Sequence, residues 1–142
     1  YDPATHGSNS IKAVLPALLN SSSYLQKKYS KPIYGAATGI KSLNYTDWTW
    51  VEYDQDGKVK DPYELLPPVF SREIDQSIEL FSEDEDLREG GAAMVAYCRM
   101  QFSEMSSYER EKLEKALLRY CELDTLAMVM IYESWREMVN NN

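Results

Sequence analysis

Histidine is almost missing from this chain: His6 is the only one in 142 residues. A lone imidazole beside a Gly-Ser turn cannot build a metal cluster, and it reads as a solvated loop residue. Cysteine is scarce too, with only Cys98 and Cys121. They are far apart and lack histidine partners, which excludes a zinc site. Both fall in predicted helices, so they read as buried thiols in a reducing cytoplasm. No apolar run is long enough to span a bilayer, and no signal peptide is visible. Positive charge is the minority sign: 15 Lys and Arg against 23 Asp and Glu leave a net charge of -8. That balance argues against a broad basic surface for nucleic acid, because phosphate binding is driven mainly by Lys and Arg. It does not exclude a nuclease, whose metal-binding carboxylates are themselves acidic.

What remains is ordinary globular material, 44% hydrophobic and 27% charged. The length suits one domain with a real core. The chain opens on Tyr1 rather than Met, and the expectation is a single partial domain cut from a longer protein. Ser8 to Ser10 offer N-caps for a helix over Ile11 to Leu19, which Pro16 would kink. Tyr24 to Lys31 could add a further helical turn before Pro32. Residues 35–47 are weakly patterned loop. Trp48-Thr49-Trp50-Val51-Glu52-Tyr53 then alternates, and Asp54-Gln55-Asp56-Gly57 follows it, so a β-hairpin with exposed Trp48 and Trp50 is expected here. Asp54 and Asp56 resemble the opening of a calcium loop, but no Glu stands at its closing position. Asp61-Pro62 can start a short turn through Leu66.

Glu83-Asp84-Glu85-Asp86 reads as a solvated segment leading into a helix. Gly90-Gly91 breaks the pattern, and Ala92 to Phe102 reads as an apolar helix. Ser106-Ser107-Tyr108-Glu109 has the spacing of a capping box, and a helix is predicted from there to about Val139. The predicted fold class is therefore mainly α with one β-hairpin. Residues 35–85 stand out as an insertion and 86–139 as a helical core.

The long helix carries the candidate chemistry. At about 100° per residue, Leu113, Leu117, Tyr120, Asp124, Ala127, Ile131, Trp135 and Met138 fall in one stripe. Leu118, Leu126 and Val129 lie opposite, so this helix is greasy on both sides and should be covered on both. A carboxylate amid an apolar face is costly unless a donor, a cation or a metal meets it. Tyr120 and Asp124, four apart, share a face. A phenol beside a metal-bound carboxylate can aim a water at a phosphodiester. The other reading of the same residues is structural: Tyr120 fills core, and Asp124 bonds a backbone amide or a basic side chain such as Arg99 or Lys12.

Tyr120-Cys121-Glu122-Leu123-Asp124 resembles the third motif of the DEDDy 3'-5' exonucleases of the RNase H-like superfamily. Ser8-Asn9-Ser10-Ile11-Lys12-Ala13-Val14-Leu15-Pro16 is similar to the helix that follows the second motif in a group of bacterial RNase H-like proteins. Gly91-Ala92-Ala93-Met94-Val95-Ala96-Tyr97 is similar to a later helix of that group. Together they look like a bacterial domain family of unknown function with exonuclease-like features. The resemblance implies the C-terminal portion of an RNase H-like α/β exonuclease domain. It makes Asp124 the fourth metal-binding carboxylate and Tyr120 the water-positioning tyrosine. It implies Mg2+ or Mn2+ as cofactor in the intact domain and none in this chain alone.

The family's other carboxylates lie upstream of the Ser8 helix, where this chain has seven residues and Asp2 is a poor candidate. The expectation is thus a predicted metal-dependent phosphodiesterase that acts on nucleic acid in the intact protein, completed by the upstream part of the parent chain, inactive as this piece, and with no membrane contact. The rival expectation is a non-catalytic helical protein-interaction module, possible as a degenerate nuclease fold. A thiol hydrolase using Cys98 or Cys121 is the weakest alternative, since only His6 could activate either.

Overall fold

The computed structural model describes residues 3–66, 97, 100–101, 104 and 106–141. Among them the architecture is helical, and there is no named strand. Helix α1 spans Ile11–Ser21, α2 spans Ser23–Tyr29 and α3 spans Ser107–Asn140. Short 3-10 turns occupy Pro3–Thr5 and Pro62–Leu65. The chain divides into two compact units, one of Tyr1–Leu65 with Cys121–Asn142 and one of Leu66–Tyr120. No described helix is long and apolar enough to cross a membrane.

The first unit is built on reused caps. Ser10 caps α1 by accepting the Lys12 amide, and Pro16 is accommodated within the helix. Ser22 ends α1 and starts α2: its amide donates to Leu18 O, and its hydroxyl accepts from the Leu25 amide. Gln26 reaches back from α2 to the carbonyls of Leu19 (2.8 Å) and Asn20 (3.2 Å), two of the groups that a helix end leaves orphaned. Asn20 then fastens the 53–60 turn, accepting from Val59 N at 2.9 Å and donating to Val59 O at 3.3 Å. One amide side chain thus does for Val59 what a neighbouring strand would do.

The expected hairpin is reduced to its turn. Asp54 Oδ1 accepts from the amides of Asp56 and Lys58, and Gly57 takes φ +76. Asp54 is therefore a turn-making acceptor. Beyond the turn, pairing is one isolated bridge, Tyr53 with Val59. Trp48 instead bridges Tyr34, and the amides of Trp50 and Val51 both donate to Tyr29 O at the end of α2.

Trp50 is fully buried, not exposed. Trp48 is half-buried, and its ring lies 5.7 Å from that of Trp50 and 5.3 Å from that of Tyr45. Tyr34 and Tyr45 meet Trp50 edge-on at 5.6 and 5.0 Å. Edge contacts of this kind add to the area that aromatic rings bury. Burial of the aromatics overrode the strand pattern that their alternation suggested.

In α3 the wholly buried positions of the first unit are Leu123, Ala127, Met130 and Ser134, spaced four, three and four apart. They define the core-facing arc. Asp124 lies at one edge of that arc, about a quarter turn from its centre, and is half-buried. Glu122 and Glu133 lie on the opposite edge. The expected stripe centred on Asp124 is thus rotated: Trp135 and Met138, assigned to it, are 55% and 48% exposed. Cys121 is exposed and free, which corrects its reading as a buried thiol.

In the second unit the capping box forms in both directions. Glu109 N donates to Ser106 Oγ at 3.2 Å, and Ser106 N donates to the Glu109 carboxylate at 3.1 Å. Leu113 is buried there, and Glu111 pairs with Lys115 one turn on. The acidic run Glu83–Asp86, the Gly90-Gly91 break and most of the Ala92 to Phe102 helix lie outside the described residues, as do Asp2, Cys98 and Arg99.

Candidate functional site

The loop read as weakly patterned, residues 35–47, forms with Tyr34 one wall of a cleft. Gly35 takes φ +74, and its amide donates to Ile40 O at 2.7 Å. A Cβ on Gly35 would sit 2.1 Å from Tyr45 O, so only glycine lets the two backbone segments close. That closure aims Ser42, Asn44 and Tyr34 at α3. All three donate to Glu122: Tyr34 Oη at 2.7 Å and Ser42 Oγ to Oε1, and Asn44 Nδ2 to Oε2 at 2.5 Å. Partial burial opposes the charge on Glu122. The hydrogen bonds from Ser42, Tyr34 and Asn44 outweigh it, and they hold this carboxyl below its usual range.

Eleven residues further along the same edge, Glu133 accepts from Lys28 Nζ at 2.6 Å and Tyr29 Oη at 2.9 Å. Burial and then the Glu133 carboxylate push the Tyr29 phenol up. Tyr34 is raised in the same way, by burial first and then by Glu122. Between the two carboxylates lies a cleft of about 1130 Å³ open to solvent, with Ile40, Leu43, Leu126 and Val129 in its lining. Leu43 is 99% exposed and Val129 45%.

Asp124 faces elsewhere. Its Oδ1 accepts from the Tyr63 hydroxyl, and Lys12 Nζ stands 5.4 Å from the centroid of the Tyr63 ring. The 3-10 turn Pro62–Leu65, held by the Asp61 side chain on the Tyr63 amide, places that phenol. Tyr120 is half-buried on α3 and belongs to the second unit. Among the described residues no three His, Cys, Asp or Glu side chains converge on a point that could hold a metal ion. Asp124 with a phenol on one oxygen does not by itself fit the metal centre that the exonuclease resemblance implies, because a divalent ion needs several oxygen ligands.

The site that the sequence brought forward and the site that the fold assembles therefore differ. Glu122 stood inside the quoted motif without a role, and Glu133, Tyr29, Tyr34, Ser42 and Asn44 were not singled out. The available signal was Glu122 and Glu133 on one edge of a helix, with phenol-rich loops elsewhere. Nothing in local spacing pairs them across 78 to 105 residues. No protein-family model matches this chain, and neither does any curated protein or solved structure.

Proposed function

We propose that this domain is a non-catalytic interaction module, and that its working surface is the cleft between the 34–47 loop and the Glu122–Glu133 edge of α3. The observation that carries this reading is the state of the cleft's polar groups. Both carboxylates are already engaged, while aliphatic side chains at Leu43 and Val129 stand uncovered. Catalysis fits poorly. The described lining holds no histidine or cysteine, and the Ser42 hydroxyl is spent on Glu122. A carboxyl held below its usual range is a weak general base at neutral pH. The cleft is larger than the usual pocket for a small ligand, which reaches about 1000 Å³, and it is open, so a segment of another protein suits it better.

The test is binding of an environment-sensitive apolar dye to the 142-residue chain, followed by fluorescence. Val129→Arg and Leu43→Asp should abolish the signal, whereas Met128→Arg, outside the described lining, should leave it. Equal binding by all variants would overturn the assignment.

A second proposal comes from the resemblance. Tyr120 and Asp124 fall at helical spacing on the uninterrupted α3, as an exonuclease's third motif requires. In that reading the parent protein acts on nucleic acid ends with Mg2+ or Mn2+, and its remaining carboxylates come from the upstream part. Nuclease assays of the parent with Asp124→Asn and Tyr120→Phe decide it, since unchanged rates would end the idea.

A further inference from the structure

We propose that the cleft accepts an apolar peptide segment of a partner protein bearing one lysine or arginine, whose cation pairs with Glu122. This rests on the interaction-module reading and deepens it. The two ends of the cleft are chemically unequal. At one end Glu133 is neutralised by the Lys28 ammonium at 2.6 Å. At the other, Glu122 is held by a phenol, a hydroxyl and an amide, none of which carries charge. Among the described residues no ammonium or guanidinium stands within salt-bridge distance of it. Lys41 and Asp47 also line the cleft, and Lys41 is exposed without reaching Glu122.

Neutral donors keep the carboxylate ionised and fix its position, but they leave its charge uncancelled. A partner's cation supplies what the fold omits. The apolar stretch between, with Leu43 and Val129 exposed, takes the aliphatic part of the same segment. The net charge of -8 favours encounter with a basic partner over an acidic one. Glu122 and Glu133 are separated by about 16 Å along the helix, a distance that about five extended residues cover.

The probes are acetyl-Leu-Ala-Leu-Ala-Leu-Lys-amide, its analogue with norleucine in place of lysine, and hexylammonium as a cation without a peptide. Affinities for the full chain are measured by calorimetry at low and high salt. The lysine peptide should bind about fivefold tighter than the norleucine analogue at low salt. That preference should vanish in Glu122→Gln and persist in Glu122→Asp and in Tyr34→Phe, which keep the charge.

If both peptides bind equally to the wild type, or if the lysine preference survives Glu122→Gln, the cation pairing is overturned while the cleft remains a binding surface. If neither peptide binds, both this inference and the interaction-module reading are overturned. Hexylammonium binding as tightly as the peptide would overturn the assignment of a peptide occupant. Circular dichroism of each variant, compared with wild type, separates lost pairing from lost fold. Where Glu122→Gln fails to fold, Asn44→Lys, which sets a cation beside Glu122, should abolish the lysine preference, and survival of the preference there would overturn the pairing.

Discussion

Glu122 and Glu133 stand three helical turns apart on one edge of α3, and each accepts a phenol hydrogen bond, from Tyr34 at 2.7 Å and from Tyr29 at 2.9 Å. The spacing of eleven residues brings both carboxylates to the same side of the helix. The tyrosines come from the end of α2 and the loop that follows it. Two phenols five residues apart in sequence are thus tied to one helix some hundred residues later, and the cleft wall is held at both ends.

Removing either phenol hydroxyl tests this arrangement. In Tyr34→Phe, Glu122 keeps Ser42 and Asn44, and in Tyr29→Phe, Glu133 keeps Lys28. Each carboxylate remains partly satisfied, so each variant should lose about 1.5 kcal/mol, the low end of the range for a hydrogen bond to a charged group. Urea unfolding measures it. The same midpoint in both variants and wild type would mean that these contacts do not hold the loop in solution.

The pH dependence follows from the direction of each shift. The Glu122 carboxyl is lowered, because its three donors together outweigh its partial burial. Its contribution is present above the ordinary glutamate value of about 4.3 and is lost as pH falls through the lower folded value. Tyr29 and Tyr34 are raised, by burial first and then by their carboxylates. Their contribution is whole below the ordinary phenol value of about 10 and fades as pH rises beyond it. Stability should hold across the neutral range and fall on both sides. The advantage of wild type over Glu122→Gln should shrink in acid, and the alkaline loss should be shallower in the Tyr29→Phe, Tyr34→Phe double variant. Thermal unfolding between pH 3 and pH 11 reads both limbs.

Local signals were legible where local chemistry decides. The Ser106–Glu109 capping box, the Ser10 cap and the exposed His6 lie where their residue types put them. The mainly helical class follows from the same signals. Three things were not legible, for different reasons. The alternation of Trp48 to Tyr53 is a strand pattern, but the aromatics packed on one another and left only isolated bridges. The long helix is apolar around most of its circumference, so periodicity could not choose between an arc centred on Asp124 and the arc of Leu123, Ala127, Met130 and Ser134 that is buried. The 34–47 loop owes its shape to donors that meet a carboxylate about 80 residues away, and no short-range pattern records that.

Two glycines with the same backbone sign separate strain from closure. Gly35 at φ +74 has Tyr45 O 2.1 Å from where a Cβ would stand, whereas Gly57 at φ +76 has open space around it. Gly57→Ala should cost only the left-handed backbone penalty, about 1–2 kcal/mol. Gly35→Ala must in addition push the 45–46 backbone away, which disturbs Asn44 and Ser42 and through them Glu122. It should destabilise clearly more than Gly57→Ala and also weaken dye binding in the cleft, which Gly57→Ala leaves intact. Equal denaturation midpoints for the two variants would contradict the close approach.

Asp124 and Tyr63 define the other edge of α3, and a double-mutant cycle decides what that carboxylate does in this chain. With the Tyr63 hydroxyl on Oδ1 and Lys12 over the Tyr63 ring, Asp124 is an acceptor that anchors the Pro62–Leu65 turn to the helix. Asp124→Asn retains a carbonyl oxygen at the same place, so most of the stability should survive. Asp124→Leu removes the acceptor that the Tyr63 hydroxyl uses here, at about 1–3 kcal/mol. If the contact is the reason, Tyr63→Phe should make Asp124→Leu cheaper, with a coupling of about 0.5–2 kcal/mol between the two sites. Additive losses would show that Asp124 acts through some other group, and the structural account of its burial would fall. A coupling that is present in this chain and disappears on adding magnesium to the longer protein that the exonuclease proposal supposes would instead show the same oxygen exchanging a phenol for a metal, the behaviour that proposal demands of it.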